Sequence, residues 1–436
     1  MWRVLLAALI FAGSTVQAGG SSPRDARFSL MDIDRVWSGH SVRFALAVSR
    51  ESIYVAYYDA NRQMTLASRP RNADTWTRVA LESTTGWDSH NYLALALDTD
   101  GRIHLIGNMH NVPLIYFRSA LPGDVRSMER VPVMVDAQVE QRMTYPVFIR
   151  DRDGRLIFKY RDGGSGNGNE IYNVYESATR RWSHLLATPL ADGENQRNAY
   201  FVGPTLGPDG IFHLAWVWRE TPNAETNHDL SYARSRDLVH WEKSDGTPLK
   251  LPITLGSCEI VDPVPVEAGM INNNTVVGFD NAGRTLITFH KFDSRGNTQI
   301  FVARRDASRW TIAQISDWSG FRWDFRGGGS LESRLFVNGA EPAGKDRIRV
   351  AVIRDGKPID LVLDERTLAR IAESAGHTLA DRLRAQIAVP EGMQLNTVED
   401  AGKSGIAIAW PTRPPNRDMP TADIAASTML RLVMPQ

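Results

Sequence analysis

A seven-bladed β-propeller, an all-β fold in a single domain, is what this sequence predicts, and three observations carry that expectation. Short runs rich in aromatic and β-branched residues recur between Gly, Asp and Asn: Ile53-Tyr58, Ile103-Gly107, Leu156-Tyr160, Phe212-Trp218, Thr285-Phe289 and Arg347-Ile353. Several are introduced by one device, Asp or Asn followed closely by Gly and then the strand, as at Asp100-Gly101-Arg102, Asp153-Gly154-Arg155, Asp209-Gly210-Ile211 and Asn281-Ala282-Gly283-Arg284. The units repeat at roughly 50 to 70 residues with four strands each, which is how a propeller looks in sequence.

Taken in chain order, residues 1–18 come first. Arg3 precedes a short apolar run that ends in Val16-Gln17-Ala18, the layout of a secretory signal cleaved after about Ala18. The mature protein is thus expected to be secreted or periplasmic, with one catalytic domain over 27–436. No later run approaches the roughly 20 apolar residues of a membrane span. Lys plus Arg equal Asp plus Glu at 50 each, so there is no global field to gather nucleic acid or a membrane surface. A single cysteine, Cys258, excludes an internal disulfide, and the chain must rely on its apolar core.

Within each unit a second strand carries a central Tyr or Phe and is followed by a polar turn and a Trp: Tyr172 with Trp182, Tyr232 with Trp241, Phe301 with Trp310. Ser235-Arg236-Asp237-Leu238-Val239-His240-Trp241 and Arg305-Asp306-Ala307-Ser308-Arg309-Trp310 look like degenerate Asp-box turns, in which Asp ties the turn and Trp packs between blades. The last strand, near Leu430-Val433, is expected to complete the first blade and remove free edges. From about 364 to 387 the pattern changes. Leu368, Ile371, Leu379, Leu383 and Ile387 recur at near-helical spacing, which predicts a short helical insertion.

Three segments carry more functional side chains than packing requires. They are Trp87-Asp88-Ser89-His90-Asn91-Tyr92, Gly107-Asn108-Met109-His110-Asn111, and Lys159-Tyr160-Arg161-Asp162 with the glycine-rich run to Gly168. Each lies at one end of a strand. Farther on, Trp216, Trp218, Arg219, Asn227 and His228 are candidates to extend a cleft, and His213 and His290 to face a central channel. No ligand set has diagnostic metal spacing, so the metal site is unknown and a structural Ca2+ or Zn2+ ion stays open.

The pattern Ser89-His90-Asn91-Tyr92, Asn108-Met109-His110-Asn111, Thr144-Tyr145-Pro146 and Tyr160-Arg161-Asp162-Gly163 resembles the propeller polysaccharide lyases, including ulvan lyases and lyases of rhamnosyl-glucuronate linkages. The similarity runs from about Val36 to about Trp310. It implies β-elimination on a uronic-acid-containing polysaccharide, with His90 and Tyr145 as the proton-transfer pair and Arg161 with His110 on the uronate carboxylate. Asn91, Asn108, Asn111, Arg219, Asn227 and His228 would bind substrate. The chemistry needs such groups. A C5 proton beside an anionic carboxylate is too weakly acidic to remove until that charge is neutralised, a near-neutral base suits histidine, and the leaving O4 needs an acid such as a phenol. No cofactor is required. An acidic polysaccharide is the expected partner and a monomer the expected state. Two other readings stay open: a sialidase-like glycoside hydrolase, for which Glu140, Asp162, Glu170 and Glu220 supply carboxylates but no recognisable pair, and a glycan-binding propeller without catalysis.

Overall fold

Residues 28–307, 309–329, 331–421 and 427–436 are described by a computed structural model. The signal expected over residues 1–18 lies outside them. Among the described residues, the strands form seven sheets of four or five strands in which every strand pair is antiparallel. A regular four-strand meander recurs, for example Ala45–Val48, Ser52–Tyr58, Gln63–Pro70 and Thr77–Thr84. One sheet departs from this order: Phe28–Val36 pairs with Thr428–Pro435, which continues to Ala407–Thr412 and Gln394–Glu399. No helix among the described residues is long and apolar enough to cross a membrane.

The hairpins form for the reason the sequence suggested, with one refinement. In three of the four turns the carboxylate that ties the turn stands three residues before the glycine: Asp98 Oδ1 accepts the N–H groups of Asp100 and Arg102, Asp151 those of Asp153 and Arg155, and Asp280 those of Ala282 and Arg284, whereas in the fourth Asp209, next to Gly210, accepts the N–H of Ile211. Gly101, Gly154 and Gly283 then take φ values of 80°, 82° and 76°, which a side chain disfavours. The Asp-box expectation also holds at Asp237. Its Oδ1 accepts from the N–H of Val239 and of His240, each at 2.8 Å, and Trp241 is buried with Nε1 donating to Leu238 O.

Apolar clusters lie between neighbouring sheets. One of them joins Val55, Tyr57 and Leu66 to Trp410, Leu430 and Leu432, with Phe44 stacked on Trp410 at 4.4 Å, so residues near the two ends of the described chain share a core. The segment 364–387 corrects the helical reading. It holds a strand, Arg370–Ala375, paired with Lys357–Asp364, and one five-residue helix, Leu379–Leu383, capped by Thr378 and Asp381. Leu379, Leu383 and Ile387 are buried as that period implies, but Ile371 is 52% exposed on the outer strand. Trp216 and Trp218 are fully buried, which removes both from any sugar-stacking role.

Candidate active site

Each site residue sits where a strand ends or breaks. Asp88 caps a single 3-10 turn, Ser89–Asn91, by accepting the His90 N–H at 2.8 Å, and so fixes His90 beside the start of strand Leu93–Leu97. After strand Ile103–Gly107 the chain leaves its own sheet. Asn108 and Asn111 take left-handed backbone at φ 60° and 56°, and the short strand His110–Val112 joins the next sheet, where His110 lies opposite Thr144. Tyr145 has φ 58° at a register shift between Thr144 and Val147. Such backbone is costly for an aromatic residue and is concentrated at functional sites. Thr144 also pairs with Arg161 on the adjoining strand, so one strand brings His110, Tyr145 and Arg161 together.

The side chains converge. The His90 and His110 rings are stacked with centroids 4.0 Å apart, and the Tyr145 ring lies 5.6 Å from His90. The Arg161 guanidinium stands 4.8 Å over the Tyr145 ring, held by Nε to Gly163 O at 3.0 Å and by Nη2 to Thr144 Oγ1 at 3.2 Å. Tyr145 and Arg161 line a cavity of about 110 Å³ together with Tyr92, Tyr200 and the buried ion pair Lys159–Glu170, whose charged atoms are 2.6 Å apart. Burial and then the nearby Tyr200 push the Tyr145 phenol up to about 12, against the opposing pull of Arg161 and Arg219. The phenol therefore keeps its proton at neutral pH. Burial raises the Asp88 carboxyl, yet hydrogen bonds from His110, His90 and the His90 backbone outweigh it and hold the group well below the usual carboxylate range.

The remaining expected residues divide. Asn111 is exposed at the site, its backbone N–H bound to Thr144 Oγ1, while Asn108 donates to Ser83 Oγ and Thr84 O and Asn91 to Thr85 Oγ1. The latter two amides brace the loops carrying the histidines. Arg219 stands 5.4 Å over the Tyr200 ring, but its donors go to the carbonyls of Thr221, Pro222 and Asn223, which makes it a support for Tyr200. Asn227 is fully buried and donates to Ala224 O, so a substrate contact is corrected to a turn-stabilising role. His228 bridges Glu220 and Asp229 at 2.8 and 3.0 Å. Tyr200, joined through its hydroxyl to Ser165 at 2.6 Å, and Asp88 are the residues that sequence reasoning missed as site members. Asp88 stood within the quoted hexapeptide, whereas nothing local distinguishes Tyr200.

Among the described residues, Asp88, His90 and His110 are the group that brings three potential metal-ligand atoms within 4.8 Å. Their geometry is that of hydrogen bonding. Two ligands each about 2.0–2.1 Å from one tetrahedral zinc stand about 3.3 Å apart, whereas the Nδ1–carboxylate distances here are 2.7 and 2.5 Å. His213 is engaged with Tyr232 and Asp209, and burial pushes His290 down to about 4.

An all-β chain of repeated antiparallel sheets with a His, Tyr and Arg cluster at strand ends defines a class, and comparison with known proteins supplies the family. A model described as BNR repeat-containing family member matches residues 52–318, and the chain belongs to that family. It is 30% identical to a long-isoform ulvan lyase of Glaciecola sp. (strain KUL10) over 82 residues, 19% of this chain and 8% of that one. A short-isoform ulvan lyase of Alteromonas sp. (strain LOR) is 24% identical over 139 residues, 30% of this chain and 26% of the relative. The chain thus spans about a quarter or less of these curated relatives. The crystal structure of polysaccharide lyase Uly1 superposes with a TM-score of 0.65 at 13% identity, covering 93% of this chain and 99% of that one. An ulvan lyase bound to -[GlcA(1-4)Rha3S]- gives 0.60 at 11% identity, covering 93% and 95%. These bear out the resemblance to propeller polysaccharide lyases, and at such identities the structural likeness is one of fold.

Proposed function

We propose that this chain is a seven-bladed β-propeller polysaccharide lyase that cleaves an acidic glycan, of ulvan or rhamnose-glucuronate type, by β-elimination. The observation that carries this reading is the convergence of His90, His110, Tyr145 and Arg161 in one cluster from four separate segments, with Tyr145 and Arg161 lining the cavity beside it. Arg161 and His110 hold the uronate carboxylate and stabilise the enolate-like state as charge moves onto it. His90 Nε2 removes the C5 proton, the C4–O4 bond breaks, and the Tyr145 hydroxyl gives its proton to O4. The product is a 4,5-unsaturated uronate. Glucuronate and iduronate present the C5 proton on opposite faces, so the pair exchanges roles with the epimer. No cofactor enters this scheme, and the protein acts as a secreted or periplasmic monomer.

The carboxylates speak against hydrolysis, which needs two suitably separated and available acids. Glu170 is bound to Lys159, Glu220 to Arg197 and His228, and Glu140 to the N–H groups of Met134, Val135 and Asp136. Of the four, Asp162, raised by burial against the pull of Arg142 3.7 Å away, remains as a single acid. Digestion of ulvan followed by ultraviolet absorbance decides the matter: elimination creates a conjugated double bond. New reducing ends without that absorbance would mean hydrolysis, and binding without new ends a lectin.

A further inference from the structure

The carboxylate of Asp88 has no part in the scheme above, yet it touches both histidines. Oδ1 lies 2.7 Å from His90 Nδ1 and Oδ2 lies 2.5 Å from His110 Nδ1. An ionised carboxylate only accepts, so each contact requires a proton on Nδ1. No described residue engages either Nε2, and the His90 and His110 side chains are 20% and 33% exposed. Because Oδ1 also accepts the His90 backbone N–H, the carboxylate is itself fixed by the turn it caps. The turn is held from the far side by Asp418, which accepts the Ser89 N–H at 2.9 Å.

We propose that Asp88 is a positioning residue that holds both stacked imidazoles with Nδ1 protonated and so turns Nε2 of each ring toward the substrate. Elimination requires a base whose ring nitrogen is aimed at the C5 proton, with a second ring held beside it at the carboxylate, and the inference rests to that extent on the lyase reading.

Nitrogen NMR of histidine-labelled full-length protein tests the tautomers without any substrate. In the wild type both rings are expected with a proton on Nδ1. In Asp88→Asn, whose amide offers one acceptor oxygen and one donor group, at least one ring should switch to Nε2–H. On a uronate polymer the variant should lose about 100-fold or more in kcat with KM within about threefold, as when a carboxylate that orients a catalytic histidine is removed. Asp88→Glu, which restores two acceptors, should recover both tautomers. Wild-type rings protonated on Nε2, or an Asp88→Asn protein with unchanged tautomers or unchanged kcat, would overturn the proposal. A tautomer switch in a protein that eliminates no uronate polymer would keep the role of Asp88 and sink only the lyase reading.

Discussion

Arginine 161 shows what the site asks of one residue. Its Nε and one Nη nitrogen are tied to Gly163 and Thr144, which fixes the plane of the fork over Tyr145. Arg161→Lys keeps the charge but loses the fork, so kcat on a uronate polymer should fall about 100-fold or more while substrate still binds, because the contact strengthens in the transition state. Tyr145→Phe should behave alike. Near-wild-type turnover by both folded variants would leave the proposed chemistry without its cation and its acid. A third variant reaches Arg161 indirectly: a Cβ on Gly168 would stand 2.5 Å from Arg161 Cδ and 2.6 Å from Asn198 Oδ1. Gly168→Ala should therefore lower kcat by at least tenfold through displacement of the guanidinium, with melting behaviour little changed; full activity would mean that Arg161 accommodates the methyl without leaving its place. His90, His110, Tyr145 and Arg161 were legible because their spacing matches a known pattern. Asp88 was not, since an Asp before Ser reads as a turn cap, and here it both caps the turn and binds two rings.

Strands were easier to read than the irregularities that make the site. Alternation and Gly turns marked the hairpins, but the register shift at Tyr145 and the crossing of His110 into the next sheet depend on pairing between distant segments, which no local pattern reports. The helical reading of 364–387 failed for a related reason. Arg370–Ala375 is an outer strand exposed at every residue, so it carries no alternation, and Leu368 and Ile371 fell by chance on a helical period. At the ends of strands Phe212–Arg219 and Asn227–Ser235, burial alone would lower the pKa of His228, but Asp229 and Glu220 outweigh it and raise it above the ordinary 6.5. A raised histidine stabilises the fold fully below its unfolded value and loses that contribution as pH rises through the folded one. Glu220, itself shifted downward, stays ionised across that window. The melting temperature of His228→Gln should accordingly lie farthest below wild type at pH values under 6.5, with the gap closing on the alkaline side. A gap independent of pH would show that His228 contributes by packing alone.

For the whole molecule, the decisive contact is between the ends of the described chain. Phe28–Val36 pairs with Thr428–Pro435 along eight registered positions, and Leu430, Leu432 and Val433 are fully buried. Burying one such side chain is worth about 1.5–3 kcal/mol, so losing three removes roughly 5–9 kcal/mol, comparable with the 5–15 kcal/mol that holds an ordinary domain together. Two strand edges would open as well, one on Phe28–Val36 and one on Ala407–Thr412, each free to pair with another molecule. Because the core cluster of Leu430 and Leu432 also holds Val55 and Tyr57, the damage would spread into the sheet of the early strands, whose neighbour carries the turn of His90. In the proposed ring of blades this mixed sheet is the clasp. Deletion of residues 428–436 should therefore abolish cooperative thermal unfolding and drive the protein into aggregates. Point variants such as Leu432→Ala should cost about 2–5 kcal/mol and remain folded. A soluble truncated chain that melts cooperatively within a few degrees of wild type would show that the other six sheets stand without the clasp, and the ring-closure argument would fall with it.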